Sequence, residues 1–243
     1  MRRFLHHAAV CMIVCAVGGG FSARAGQLIV NGGFETGDLT GWSAFDQAGG
    51  ALGATWFASS STSSPQSGDP TPGPDDGSFY ALTDQIGPGS HMLLQSFTVP
   101  VGATSVMLTF DMFSDNWSGV SDCGSTDFTN VPTQCARVDI LTAGAGAFDL
   151  GGSVVDNLYN GSSFATNSAN PWVAYSFDLT GVLTPGATYQ LRFAETDDQS
   201  FFQQGVDDVS IVANTTPEPA SLLLFGTGLV GLGLLSKKRL SSR

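Results

Sequence analysis

The sequence predicts an all-β fold, a single jelly-roll-like β-sandwich, and three observations predict it. Apolar residues recur at every second position over several short stretches. Glycine- and proline-bearing turns separate those stretches. Helical periodicity is nearly absent between the two ends of the chain. Many short strands punctuated in this way close into sandwiches or jelly rolls. The 243 residues suffice for one such domain with a further segment at each end.

The first segment is residues 1–25. Arg2 and Arg3 precede a short apolar stretch from Ala8 to Val17, and Ala23-Arg24-Ala25 is a small-x-small cleavage pattern. This reads as a secretion signal, with the mature chain starting at Gly26. The apolar run is too short to span a membrane.

The domain follows over residues 26–213. Val106, Leu108, Phe110 and Met112 alternate with Met107, Thr109, Asp111 and Phe113. Val173, Tyr175, Phe177 and Leu179 alternate with Trp172, Ala174, Ser176 and Asp178, and Tyr189, Leu191 and Phe193 with Gln190, Arg192 and Ala194. Alternation puts one set of each on a buried face. Pro100-Val101-Gly102 and Thr184-Pro185-Gly186 mark turns. A faint echo links Ser96-Phe97, Gly102-Ala103-Thr104 and Leu108 to Ser176-Phe177, Gly186-Ala187-Thr188 and Leu191, and both read as hairpins. The polar, proline-bearing stretch from Ser59 to Gly77 reads as a long surface loop that supplies no core.

Charge narrows the function classes. Residues 26–216 hold twenty acidic side chains and two basic ones, Arg137 and Arg192. Such a field repels nucleic acid and anionic lipid and favours cations. Most of the acids serve solubility. Asp111, Asp115, Asp122 and Asp127 lack EF-hand spacing and read as flanking a solvated loop, with a second metal as the alternative. Once the signal is removed, Cys123 and Cys135 are an even pair in an oxidising compartment and predict a disulfide.

The last segment is residues 214–243. Ala220 to Leu235 is apolar and uncharged, and Lys237-Lys238-Arg239 follow at once. Such a run stops in a membrane with its basic end in the cytoplasm. It is short and glycine-rich, which fits a temporary hydrophobic sorting helix better than a permanent span. Pro217, Glu218 and Pro219 stand just before it. A Pro-Glu-Pro motif, an apolar stretch and a basic end, in that order, resemble the PEP-CTERM sorting signal. The resemblance implies an exosortase-type processing enzyme as partner, with the three residues recognised rather than catalytic. It implies export to the cell surface, outer envelope or extracellular matrix of a Gram-negative bacterium that makes exopolysaccharide.

Two further stretches carry a second resemblance. Asn31-Gly32-Gly33-Phe34-Glu35-Thr36-Gly37 opens the domain, and Gly205-Val206-Asp207-Asp208-Val209-Ser210-Ile211 closes it. They resemble the first and last strands of jelly-roll, carbohydrate-binding-module-like domains, where the corresponding acids share a structural calcium. The residues support a metal independently. By parity Asp207 shares the face of Val209 and Ile211, where a carboxylate is costly unless paired or metal-bound. Glu35 and Asp207, with the Gly37 carbonyl, offer the hard oxygens that calcium prefers. Asp208 is the alternative ligand if the register differs.

Catalysis has little to work with. His91 is the one histidine outside the secretion signal, no serine sits in a Gly-x-Ser-x-Gly elbow, and no zinc pattern occurs. A carboxylate pair acting on a glycoside is the one mechanism left open. Trp117, in Asp115-Asn116-Trp117-Ser118-Gly119, is the candidate for stacking on a sugar ring, whereas Trp42 is expected to pack under the first turn. The expectation is a non-catalytic exported matrix protein associated with exopolysaccharide. The alternatives are a purely structural surface protein and a glycoside-active enzyme.

Overall fold

A computed structural model describes residues 24–50, 55–84, 87–165, 168–216 and 228. Residues 1–23 of the expected secretion signal lie outside them. So do Pro217, Glu218, Pro219 and, apart from Gly228, the apolar stretch that follows. Among the described residues no helix is long and apolar enough to cross a membrane.

Nearly all the regular structure of the described residues is strand. Its first half forms β1 (Arg24–Gln27), β2 (Ser43–Asp46), β3 (Phe57–Ser59), β4 (Tyr80–Leu82), β5 (Gly89–Thr98) and β6 (Ala103–Asn116). Its second half forms β7 (Gln134–Thr142), β8 (Val154–Gly161), β9 (Val173–Asp178), β10 (Thr188–Asp197) and β11 (Phe202–Thr215). One sheet has the order β3-β4-β11-β6-β9, with β1 also paired to β11, and the other has the order β2-β5-β10-β7-β8. Every pairing is antiparallel.

The period-two residues meet between the sheets. Leu108, Phe110 and Met112 of β6 join Leu191 and Phe193 of β10 and Val138 and Ile140 of β7 in one buried cluster. Burying each such side chain contributes about 1.5–3 kcal/mol. Phe110 meets Phe193 edge-on across the layers at 5.2 Å between ring centroids.

The internal echo is real, but its geometry differs from the hairpins expected. β5 and β6 lie in different sheets, and so do β9 and β10. Each turn is therefore an arch from one sheet to the other. The two arches lie side by side: Gly186 N–H donates to Val99 O at 2.8 Å and Val99 N–H to Ala187 O at 3.0 Å. β5 then pairs with β10, and β6 with β9.

Both arginines of the domain serve one carboxylate on the outer face of the second sheet. Arg192 Nη2 lies 2.6 Å from Asp139 Oδ2 and Arg137 Nη2 lies 3.0 Å from Asp139 Oδ1. Arg192 and Asp139 are fully buried. Arg192 Nη1 also donates to the Ala147 and Asp149 carbonyls, both at 2.8 Å, and so ties the loop after β7 to the sheet. The Cys123–Cys135 disulfide is present, with 5.1 Å between Cα atoms. Closing a loop of that size stabilises the fold by about 3 kcal/mol.

The stretch expected to be an open surface loop is instead a strap across the outer face of the first sheet. It runs from the end of β3 to the start of β4 and closes over a second, smaller core of Tyr80, Leu82 and Phe113, with Phe57 and Trp172 packed on it. The strap contributes polar anchors rather than apolar bulk. Trp172 Nε1 donates to Gly73 O at 3.0 Å, and the Thr71 and Tyr80 hydroxyls meet at 2.8 Å. Trp172 stands edge-on to Phe113, with centroids 4.8 Å apart. Gly205 lies directly beneath Phe113, so a side chain there would run into the ring. Gly205→Ala should therefore lower the unfolding free energy by about 1–3 kcal/mol, read by chemical denaturation. Unchanged stability would mean that Phe113 does not seat as described.

Candidate functional site

The opening turn is built on a buried ring. Phe34 is fully buried and packs on Trp42 at 5.6 Å between centroids, and the Trp42 indole N–H donates to Asn31 O at 3.1 Å. Trp42 thus sits under the first turn, as expected. Asn31 and Phe34 take left-handed φ values of 52° and 55°. Gly37, with φ 75°, donates its N–H to Phe34 O at 2.9 Å and faces the Phe79 ring. This winding leaves Glu35, the neighbour of the buried Phe34, free to leave the core.

The same turn rests on the closing strand. Val209 N–H donates to Gly32 O at 3.0 Å, and Gly32 has no room for a side chain against the Val209 carbonyl. β11 bulges here. Asp207 pairs with Asp111, but the next paired residues are Ser210 and Thr109, so β11 takes three steps where β6 takes two. Asp208 absorbs the extra residue with φ 50°. The bulge corrects the parity argument. Val206, Val209 and Ile211 all enter the main core, so Asp207 cannot share their face. It points outward with its partner Asp111 and is buried all the same, because the strap covers it.

Six carboxylates converge where turn, bulge and strap meet. Glu35 Oε1 accepts the Ser78 and Phe79 N–H groups at 2.8 and 2.9 Å. Asp207 Oδ2 accepts the Asp75 and Asp76 N–H groups at 3.1 and 3.5 Å, and its Oδ1 accepts that of Asp208 at 2.9 Å. Asp75, Asp111 and Asp208 bring one oxygen each within 4.8 Å of one another, as no other three such residues do among those described. Glu35 and Asp207 therefore clamp the strap's backbone, beside a carboxylate triad that sequence reasoning left out apart from Asp208. Alternation placed Asp111 on the outer face, but nothing nearby in sequence announced Asp75.

The electrostatics are one-sided. Burial pushes the Asp207 carboxyl up to about 7, with Asp208 adding to the effect. Burial, then the charges of Asp76, Asp75 and Glu35, raise Asp208; burial, then Asp75 and Asp208, raise Asp111. Arg137 and Arg192 are both committed to Asp139, so no side-chain cation among the described residues relieves this cluster. A hard, oxygen-seeking divalent cation fits the donor set.

Two other surfaces hold sequence candidates. Trp117 is half-buried, and its indole nitrogen is buried, so its ring is not the open platform expected. A cleft of about 340 Å³ on the second sheet is lined by Val30, Ser43, Phe45, Gln95, Ser96 and Gln190, with Phe45 exposed. A smaller cleft of about 260 Å³ holds Asp197, Asp198 and Phe201. Burial, followed by the nearby Asp198 charge, pushes Asp197 up to about 8, while the Gly89 N–H it accepts at 3.1 Å pulls the other way. His91 is buried with Nδ1 2.6 Å from Asp46 Oδ1, and burial holds its ring below the ordinary histidine value.

Residues 215–239 match the family model of the PEP-CTERM protein-sorting motif. That motif marks a chain exported and sorted by an exosortase-type enzyme. No curated protein matches the chain. Among solved structures, TmCBM61 in complex with β-1,4-galactotriose is 12% identical over 76% of this chain and 98% of its own, with a TM-score of 0.44. The K3 cleaved adhesin domain of Lys-gingipain from Porphyromonas gingivalis W83 is 15% identical over 76% of this chain and 98% of its own, with a TM-score of 0.47. The Stig cyclase Fisc from Fischerella sp. TAU is 15% identical over 80% of this chain and all of its own, with a TM-score of 0.46.

Asp197 generates a pH prediction. Its folded value lies above its unfolded one, so the native state binds the proton more tightly, and stability falls as pH rises from about 4 to about 8. Asp197→Asn keeps the oxygen that accepts the Gly89 N–H and removes the charge. The variant should gain melting temperature over wild type at pH 8 and lose that advantage near pH 4. An equal difference at both pH values would rule out the buried charge as its cause.

Proposed function

We propose that this protein is a non-catalytic surface or extracellular-matrix component of a Gram-negative bacterium, associated with exopolysaccharide. The observation that carries the reading is the sorting motif, which begins where β11 ends. A secretion signal, a disulfide and a strongly acidic domain agree with it, since all three suit life outside the cytoplasm. Pro217, Glu218 and Pro219 act as the recognition element for an exosortase-type enzyme, and the apolar stretch holds the chain in the membrane until processing. Replacing the three residues by alanine should abolish processing and change the protein's location, read by immunoblot of cell fractions. Normal processing in that variant would sink the sorting role.

A structural calcium belongs to the same proposal. Asp75, Asp111 and Asp208 supply its carboxylate oxygens, with Glu35, Gly37 and Asp207 shaping the turn and strap around it. Bound to the native state alone, calcium stabilises by about 2.7 kcal/mol at a hundred times its dissociation constant. Chelator should therefore lower the melting temperature of the full-length protein, and calcium should restore it. Asp208→Asn should shrink the difference. A melting temperature indifferent to chelator would exclude the ion.

For sugar, the exposed Phe45 face beside the Ser43 and Ser96 hydroxyls is a better platform than Trp117, because rings stack on open aromatic faces. Retention on the host's own exopolysaccharide, lost in Phe45→Ala and kept in Trp117→Ala, supports this face. Retention on no glycan would favour the purely structural role.

A further inference from the structure

The strap covers acids at a second place, one that neither the sorting signal nor the turn-and-bulge cluster explains. Four residues beyond Asp111 on β6 stands Asp115, and its partner on β11 is Gln203. Both are fully buried on the outer face, on the far side of Phe113 from the bulge. Asp84, just after β4, is fully buried too, and Asp69 comes down from the strap. Ser67 gathers them. Its hydroxyl accepts from Gln203 Nε2 at 3.3 Å and from the Asp69 N–H at 3.2 Å, and its own N–H donates to Asp84 Oδ2 at 3.3 Å. Gln66 N–H donates to the same Asp84 oxygen at 2.6 Å.

Each of the four keeps one buried oxygen with no hydrogen-bond partner: Asp69 Oδ2, Asp84 Oδ1, Asp115 Oδ2 and Gln203 Oε1. One such atom is a defect, since a hydrogen bond left unmade in a buried site is costly. Four bare acceptors under one end of the strap, with no side-chain cation among the described residues left to meet them, have the composition of a cation's oxygen shell. Gln203 matters most here. It is neutral, so charge alone does not explain why its carbonyl is left bare. We propose that a divalent cation binds beneath the strap between Asp69, Asp84, Asp115 and Gln203, calcium being the ion these donors suit. The oxygens stand further apart than those of Asp75, Asp111 and Asp208, so the ion draws the Gln66–Asp69 end of the strap towards the sheet. Backbone carbonyls and water complete its shell.

This site is distinct from the turn-and-bulge cluster, and the two are separable. Calcium stoichiometry is measured by calorimetry on the full-length protein, wild type and Asp208→Asn, and terbium emission is read on excitation of tyrosine. Tyr80 packs on Phe113 under the same strap, with ring centroids 6.2 Å apart, and serves as the sensitiser for terbium bound there. The proposal expects Asp208→Asn to retain one ion and its terbium emission, and expects Asp84→Asn or Asp115→Asn to lose that ion. An Asp208→Asn protein that binds no calcium overturns the proposal, as does an unchanged ion count in Asp84→Asn and Asp115→Asn. If neither strap-site variant folds, cleavage of wild type and Asp208→Asn within residues 60–78 is compared. Calcium slows it at least tenfold in both if the ion binds here, and leaves it unchanged in Asp208→Asn if it does not. Loss of ions through Asp208→Asn alone would support the turn-and-bulge calcium while rejecting this one.

Discussion

Both cationic side chains of the sandwich are spent on one carboxylate, Asp139, and much of the remaining structure follows from that scarcity. The other acids near the core must be stabilised without a counter-charge. They do it with backbone N–H groups: Glu35 takes those of Ser78 and Phe79, Asp207 those of Asp75 and Asp76, and Asp84 those of Gln66 and Ser67. Each carboxylate thereby fixes a stretch of irregular chain. The acids that keep the domain soluble are also what folds its loops, and the places where N–H groups run short are the places proposed to take cations.

The strap is the clearest product of this arrangement. An aromatic cluster holds its middle through Gly73 and Thr71. At either end, carboxylates from the strap face oxygen-bearing side chains from β6 and β11: Asp111 and Asp207 at one, Asp115 and Gln203 at the other. Ion binding at an end would substitute for hydrogen bonds that the chain cannot make there. Position along the two central strands decides which end is which. Asp111 and Asp207 form one pair, Asp115 and Gln203 the other, with Gly205 between them so that Phe113 can lie flat.

The strands were legible in sequence because alternation is a local signal, and β6, β9 and β10 carry it cleanly. Their assignment to sheets was not. Pro100-Val101-Gly102 and Thr184-Pro185-Gly186 are the same chemistry whether a turn returns within its sheet or crosses to the other. The bulge was equally hidden. Val206 to Ile211 reads as one unbroken strand, and only the left-handed backbone at Asp208, a conformation aspartate tolerates better than most residues, reverses the face of Asp207. Glu35 and Asp207 could be guessed from their flanking apolar residues. Asp75 could not, since the contact that brings it in joins residues 132 positions apart.

The sorting motif leaves the domain from β11, and β11 is paired along its length to β6 on one side and capped by β1 on the other, with Gly26 opposite Ala213. That placement has a mechanical consequence. A load carried through the tail enters the sandwich along the axis of β11. The long ladder to β6 meets it in shear, where many hydrogen bonds must yield together. The two β1 residues that the mature chain keeps, Gly26 and Gln27, would give way first by peeling, and the buried ladder behind them would set the rate at which the domain comes apart under force. A protein tethered at its C-terminus to something that flows or is pulled is best attached by such a strand.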